Sequence, residues 1–464
     1  MGSQEKRNDS EMNMEEKRLK RARRHVSQTQ FIAYGFFCLI LTGALLLMLP
    51  ISSRDGQSED FLSCLFTATS ASCVTGLIVR DTWTQWSLFG QMVIITMIQI
   101  GGLGFVTVGV FISIVLRRKI GLKERGLLQE SVNTLQIGGV VRLAKGIIKG
   151  TFLIEGTGAI LLALRFIPKY GFWRGSFYGI FHAISAFCNA GFDLMGNQKP
   201  FNSLVAYYDD WLVNLVIMSL IIVGGIGFIV WEDIYRNKLH FKKYMLHTKM
   251  VLVSTTVLVF GGGFLFYLLE RNNLLVGMNA SGQILTSLFS SVTARTAGFN
   301  TTDTASLTDG SKLLTIILMF IGGSPGSTAG GIKTTTIFVL LMCVHSNIKQ
   351  TYGVNIFGRR LEEGVIKRAG AILTINLFLA LSASLAIMAI QPLGFSDILF
   401  ETASAIGTVG MTTGITRDLY SVSKVIIIIL MYSGRIGSLS FALAFAQSQR
   451  KAHVEQVAET INVG

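Results

Sequence analysis

Four glycines, Gly76, Gly191, Gly298 and Gly410, stand 115, 107 and 112 residues apart in a chain of 464 residues that is half hydrophobic. Each closes a tripeptide at the end of a short stretch of small and apolar residues: Val74-Thr75-Gly76, Asn189-Ala190-Gly191, Thr296-Ala297-Gly298 and Thr408-Val409-Gly410. A near-constant period of this length means one structural unit used four times. Any fold for this chain must therefore place four equivalent turns in equivalent surroundings. A glycine at each turn permits backbone conformations that a Cβ resists.

The surroundings are a bilayer. Mean hydropathy is +0.53 and only 15% of residues are charged. Several runs, among them 31–51, 314–344 and 425–446, reach the ~20 apolar residues that cross a hydrocarbon core. The polar stretch before the first of them does not resemble a secretory signal. Cys38, Cys64, Cys73, Cys188 and Cys343 are scattered without paired metal spacing and read as small buried residues, not disulfides or ligands.

A net charge of +14 and the run Lys17-Arg18-Leu19-Lys20-Arg21-Ala22-Arg23-Arg24 raise the question of nucleic acid. The distribution of charge answers it. Of 41 Lys and Arg, 28 fall in 1–30, 117–149, 236–249, 349–368 and 450–451, whereas Asp55, Asp81, Asp193, Asp209, Asp210, Asp303 and Asp309 occupy the alternate connections. That is the positive-inside pattern, with both termini cytoplasmic. The N-terminal arm suits contact with anionic lipid, not nucleic acid.

The expected fold is an all-α integral membrane protein. Four covalently linked outer helix–pore loop–inner helix repeats give eight transmembrane helices around a central pore. Outer spans are expected at 31–51, 147–167, 248–269 and 369–390, pore segments at 58–73, 173–188, 279–295 and 395–407, and inner spans at 84–116, 207–231, 312–345 and 421–446. The corresponding regions are a basic tail (1–30), repeats one (31–116), two (117–231), three (232–345, with a loop at 322–336) and four (346–446), and a second tail (447–464). A segment too short to cross exposes backbone carbonyls, which is tolerated at membrane depth only where it is buried or lines a watery path. Such carbonyls replace the water shell of a dehydrated cation. The four tripeptides are therefore candidates for a cation filter.

The inner spans carry a second register: Gly101-Gly102-Leu103-Gly104, Gly224-Gly225-Ile226-Gly227, Gly322-Gly323-Ser324 and Gly434-Arg435-Ile436-Gly437. In the first two, close helix packing suffices. In the third, Gly322-Gly323-Ser324-Pro325-Gly326-Ser327-Thr328-Ala329-Gly330-Gly331 cannot continue a helix and is read as a mobile loop across the path. Lys333 ends it, either reaching the cytoplasm or touching the gate. Arg435 lies within the fourth inner span, where a charge faces an aqueous cavity or a partner. Beneath a cation filter it would repel ions or latch the loop.

Asp193 and Asn300, each two residues past a filter glycine, are expected at the outer mouth. Asp193 suits either cation attraction or local capping. Arg295, three residues before Gly298, is expected to brace the filter against Glu401. His182 should make only local hydrogen bonds. No Ser/His/Asp set, metal-spaced His/Cys cluster or intramembrane carboxylate pair is evident, so an enzyme reading has no support.

The four tripeptides, the segment Gly322 to Thr336 (GGSPGSTAGGIKTTT) and the residues around Arg435 resemble the Trk/Ktr/HKT superfamily of potassium uptake proteins, over about residues 30 to 446. The length and eight spans are most similar to the bacterial Ktr membrane subunit. The resemblance implies an inner-membrane homodimer with one pore per subunit, working with a cytoplasmic ring of nucleotide-binding regulatory subunits. This chain carries no nucleotide-binding domain of its own. Relatives with Ser at the first filter glycine tend to admit sodium, so Gly76 favours potassium. A sodium-permeable or sodium-coupled carrier, or a scaffold that has lost conduction, are the competing readings.

Overall fold

A computed structural model describes residues 28–116, 120–132, 139–197, 199–238, 240–351 and 353–439. The basic run at 17–24, the tail at 447–464 and the end of the fourth inner span lie outside them.

The helices repeat one order. The first unit has α1 (Gln28–Leu47), a short α2 (Phe61–Ser72) and the pair α3 (Leu88–Leu103) and α4 (Phe105–Val115). After α5 (Leu122–Val132) the second unit has α6 (Val140–Tyr170), α7 (Phe172–Phe187), α8 (Trp211–Gly225) and α9 (Phe228–Asn237). The third has α10 (Leu246–Glu270), α11 (Ala280–Thr293), α12 (Asp309–Phe320) and α13 (Thr334–Ile348). A small hairpin, β1 (Asn355–Ile356) with β2 (Arg359–Arg360), leads to α14 (Glu363–Ile390), α15 (Phe395–Gly407) and α16 (Ser421–Ile436).

Four of these, α1, α6, α10 and α14, are long and apolar enough to cross a membrane, and α3–α4 and α8–α9 also qualify if each bent pair is one span. Their outward faces carry exposed Phe37, Phe152, Leu153, Phe264 and Phe378. Large apolar side chains so placed suit lipid rather than water. The helices α2, α7, α11 and α15, of 12 to 16 residues, are too short to span. Asp60 and Asn279 cap the first and third by accepting from Ser63 N and Gly282 N at 2.9 and 2.7 Å.

Packing closes the order into a ring. Each short helix rests on its own outer helix, while α3 packs against α7, α8 against α11, α12 against α15, and α16 back against α2. The small residues at the ends of the short helices allow this: the Cα of Gly101 faces the carbonyl of Ser72, and that of Gly224 the carbonyl of Phe187.

The inner spans depart from expectation. The first and second are not merely packed; they bend by 94° and 96° at Gly104 and Gly227, whose φ angles are +81° and +100°. Each motif thus holds packing glycines and a further glycine that ends the helix in a conformation closed to most other residues. The third breaks over 321–333 and the fourth at Gly437, φ +95°. Cys38 also differs, being exposed rather than buried.

Candidate ion pathway

The four tripeptides come together where the short helices end. Val74, Asn189, Thr296 and Thr408 have φ of +57°, +59°, +75° and +50°, and Gly76, Gly191, Gly298 and Gly410 have +96°, +69°, +78° and +93°. A left-handed conformation at valine and threonine is costly, and persists only where the surroundings impose it. Here the neighbouring unit does. A methyl group on Gly76, Gly191 or Gly298 would stand 2.5, 2.6 or 2.5 Å from the carbonyl oxygen of Ala190, Ala297 or Val409, and one on Gly410 would strike that of Thr75. Each glycine thus abuts the middle carbonyl of the next unit, and the fourth returns to the first.

Hydrogen bonds turn the amides away from this ring. Thr75, Ala190 and Val409 donate to the carbonyls of Ser70, Ser185 and Ser404 at 2.7 to 2.8 Å. Gly76 and Gly410 donate to the hydroxyls of Ser70 and Ser404 at 3.0 Å. In the second and third units a hydroxyl instead holds the strand beyond the glycine: Ser185 donates to Phe192 O and Thr293 to Phe299 O, both at 2.7 Å. Among the described residues none of the twelve tripeptide carbonyls accepts a hydrogen bond. Buried carbonyls are nearly always paired, so twelve without a donor are oxygens available to a cation.

The loop 321–333 lies directly beneath. A methyl on Gly330 would meet the Thr408 side chain, and one on Gly322 would stand 3.2 Å from the Thr296 methyl. The bend between α8 and α9 holds the loop. Ser324 N and Thr328 N donate to Gly225 O and Gly224 O at 2.9 and 3.2 Å, and Gly326 O accepts from Phe228 N at 2.7 Å. These are groups that helix ends leave unpaired. Thr328 Oγ1 donates to Phe187 O at 3.0 Å, and Lys333 Nζ donates to Ala329 O and Gly330 O at 2.8 and 3.1 Å. Of its two expected positions, Lys333 thus takes the one on the loop.

Arg435 does for the first bend what the loop does for the second. Its guanidinium donates to Gly101 O and to Gly102 O, in the last turn of α3, and to Thr328 O of the loop. A recess of about 430 Å³ opens below, lined by Arg435, Lys333, Ser327, Arg368 and Glu130.

At the opposite mouth, half-buried Asp193 accepts from Met195 N at 2.9 Å, and burial pushes its carboxyl up to about 7. Asn300 joins the second unit through Ser203 Oγ, which accepts from its N–H, and Leu204 N, which donates to its carbonyl. His182 makes the expected local bonds, to Tyr178 O and Leu194 N.

The expected Arg295–Glu401 brace is not formed. Glu401 accepts from the hydroxyls of Thr412 and Thr416, at 2.7 and 2.5 Å, and buried Arg295 leaves its Nε without a partner. Arg295 directly precedes its tripeptide, whereas Glu401 lies seven residues before its own, two helical turns or ~10 Å higher. Sequence reasoning passed over Glu155 on α6, only 4% exposed; a lone carboxylate inside an apolar span was the signal.

The family model described as TrkH, cation transport protein, matches residues 11–456. The potassium/sodium uptake protein NtpJ of Enterococcus hirae is 41% identical over 96% of this chain and 99% of its own length. The Ktr system potassium uptake protein B of Bacillus subtilis is 44% identical over 91% and 93%. Among solved structures, the potassium transporter TrkH from Vibrio parahaemolyticus superposes with a TM-score of 0.70 at 16% identity, over 89% of this chain and 85% of that one.

Proposed function

We propose, from the premise that this chain belongs to the TrkH family of cation transport proteins, that it takes up potassium through the ring of four tripeptides. The family is one of transporters, not enzymes. The observation that carries the reading is the set of twelve buried carbonyls with no hydrogen-bond donor among the described residues. A potassium ion entering the ring exchanges its water for these oxygens, which are held by the left-handed residues and by contact with the next unit. No fixed charge is needed. In this reading the four units give eight crossings about a central pore, both termini are cytoplasmic, and the protein resides in a bacterial plasma membrane.

Permeation is closed by the loop 321–333 and by Arg435, which sits between filter and recess. Opening requires the loop to leave the carbonyls of Gly224 and Gly225 and the guanidinium to leave Thr328. The chain works as a homodimer, with a cytoplasmic ring of nucleotide-binding subunits to drive that exchange. The Bacillus relative is named as one component of a Ktr system, which supports a partner-regulated assembly.

A sodium-permeable variant of this function has one observation in its favour: the Enterococcus relative is named as a potassium/sodium uptake protein. The test is cation flux through purified protein in liposomes, with potassium, sodium or a large organic cation as the sole gradient. Wild type should pass potassium in preference to sodium. Gly410→Ser, which crowds the Thr75 carbonyl, should lower that preference about tenfold or more, as loss of ~1.4 kcal/mol of differential binding does. Absence of any cation flux, even after deletion of the loop in a folded protein, would refute the pore.

A further inference from the structure

Glu155 is the feature that the pore leaves unexplained. It lies midway along α6, on the outer helix of the second unit, away from both the filter axis and the recess beneath the loop. Gln99 of α3 donates to its two carboxylate oxygens at 3.1 and 3.2 Å. The Cys188 thiol reaches Glu155 Oε1 and Gln99 Oε1, both at 3.9 Å. No basic side chain pairs with it among the described residues. An acidic group in a bilayer span without a cation is costly to keep and calls for a role.

Its two partners reach the filter and the latch. Cys188 ends α7 and directly precedes Asn189, the left-handed first residue of the second tripeptide. Gly102 presses on Cys188 from the other side, where a methyl group would stand 2.6 Å from the sulfur. Gln99 is two residues before Gly101, whose carbonyl, with that of Gly102, accepts from Arg435. Glu155 therefore clamps the end of α3, and with it the Arg435 acceptors, to the end of the second pore helix. The equivalent outer-to-pore-helix junctions are built differently: Ser291 donates to Leu258 O in the third unit, and Ser384 pairs with Thr402 in the fourth.

The clamp is also open to lipid. Glu155 and Gln99 lie at a largely apolar recess of about 520 Å³, bounded by Met92, Phe152, Ile180 and Ile184. Met92, Phe152 and Ile180 are exposed by 48, 59 and 49%. The bend at Gly104 leaves this recess between α3, α4, α6 and α7, with Val108 and Phe111 of α4 lining one side.

We propose that Glu155, with Gln99 and Cys188, is a lipid-accessible positioning site that sets the geometry of the second filter strand and of the Arg435 acceptors. It rests on the pore reading and adds a residue that never touches the ion. The test uses full-length protein in liposomes with wild type alongside. Glu155→Leu should lower potassium-over-sodium preference about tenfold, as loss of the acceptor for the Gln99 amide does. Gln99→Leu should do the same, and the double variant should add little, because both remove one clamp. Glu155→Gln, which keeps an acceptor for Gln99, should restore most of the preference.

Unchanged selectivity and half-saturation in a folded Glu155→Leu protein would overturn the proposal while leaving the pore intact. A silent wild type would instead refute the pore.

A second measurement needs no variant. Dicyclohexylcarbodiimide, an apolar reagent, should add to Glu155 from the membrane. The carboxyl oxygen bonds to the carbodiimide carbon, the proton passes to nitrogen, and acyl transfer to nitrogen leaves an N-acylurea with no atom lost. Mass spectrometry should find the adduct on Glu155, with altered selectivity. An unlabelled Glu155, or a labelled protein with unaltered flux, would overturn the site.

Discussion

The second and third inner spans break at the same level of the molecule but by different means. Between α8 and α9 a single residue, Gly227 at φ +100°, turns the chain by 96°. Between α12 and α13 the break takes thirteen residues, 321–333. The short break is a fixed corner, and its purpose is to bare the carbonyls of Gly224 and Gly225 and the N–H of Phe228. The long break is the object held there. The first and fourth spans divide the same labour: the bend at Gly104 bares Gly102 O, and Arg435 donates to it and shares Gly101 O with the Gly104 N–H. Two units supply sockets and two supply plugs.

The largest effect should come from removing a plug. Deletion of residues 324–330 should raise potassium flux in the absence of any partner about tenfold or more, the change produced by withdrawing ~1.4 kcal/mol from a closed state. Preference over sodium should be preserved, because none of the twelve tripeptide residues is removed. A folded deletion protein that stays silent would show that the loop is a scaffold and not a gate.

Arg435→Ala removes the second plug but leaves the loop on its socket. Liposome flux should rise about threefold, less than for the deletion, since one of several holding groups is lost. An Arg435→Ala effect equal to that of the deletion would mean that the guanidinium, not the loop, closes the path.

Gly227→Ala acts on a socket. The new methyl would stand 2.7 Å from Pro325 O, and the positive φ adds ~1–2 kcal/mol of strain. Thermal unfolding should report a loss of that order, with basal flux raised about twofold. Gly104→Ala, at φ +81°, should cost similar strain and change flux less, because the backbone hydrogen bonds that hold the loop go to the second bend. Equal flux changes would erase the distinction between the two corners.

The smallest effect concerns the outer mouth. With the Asp193 carboxyl at about 7, it is mostly neutral at an external pH of 6 and mostly charged at pH 8. A negative charge there raises local cation concentration. At subsaturating potassium, flux should therefore rise about twofold from pH 6 to pH 8 in wild type. Asp193→Asn should flatten that profile at the lower level, measured with the internal pH held constant.

Much of this arrangement is legible in the chain, and the physical reasons differ by element. The short helices fall at 61–72, 172–187, 280–293 and 395–407, close to the expected 58–73, 173–188, 279–295 and 395–407. Capping residues and stretches of small side chains are local signals. The broken inner spans are only half legible. Ten residues rich in glycine and proline announce the loop, but Gly104 and Gly227 look like packing glycines until their φ angles are known. The Arg295–Glu401 brace fails for a related reason: proximity along two repeats does not give depth or direction. Glu155 is the opposite case, a visible anomaly whose neighbours come from two other helices.

What the sequence by itself determined is whatever rests on period and hydropathy: a membrane protein, four units, a glycine at each turn, an interrupted third inner span and a charge in the fourth. What only the tertiary structure decided is who meets whom. A residue's neighbours along the chain fix its backbone preferences, but the donors that a broken helix requires come from elsewhere. The carbonyls of Gly102 and Gly224 find theirs more than 100 residues away, in Arg435 and Thr328. The tripeptide glycines are set by the same logic, each being necessary because of a carbonyl in the next unit.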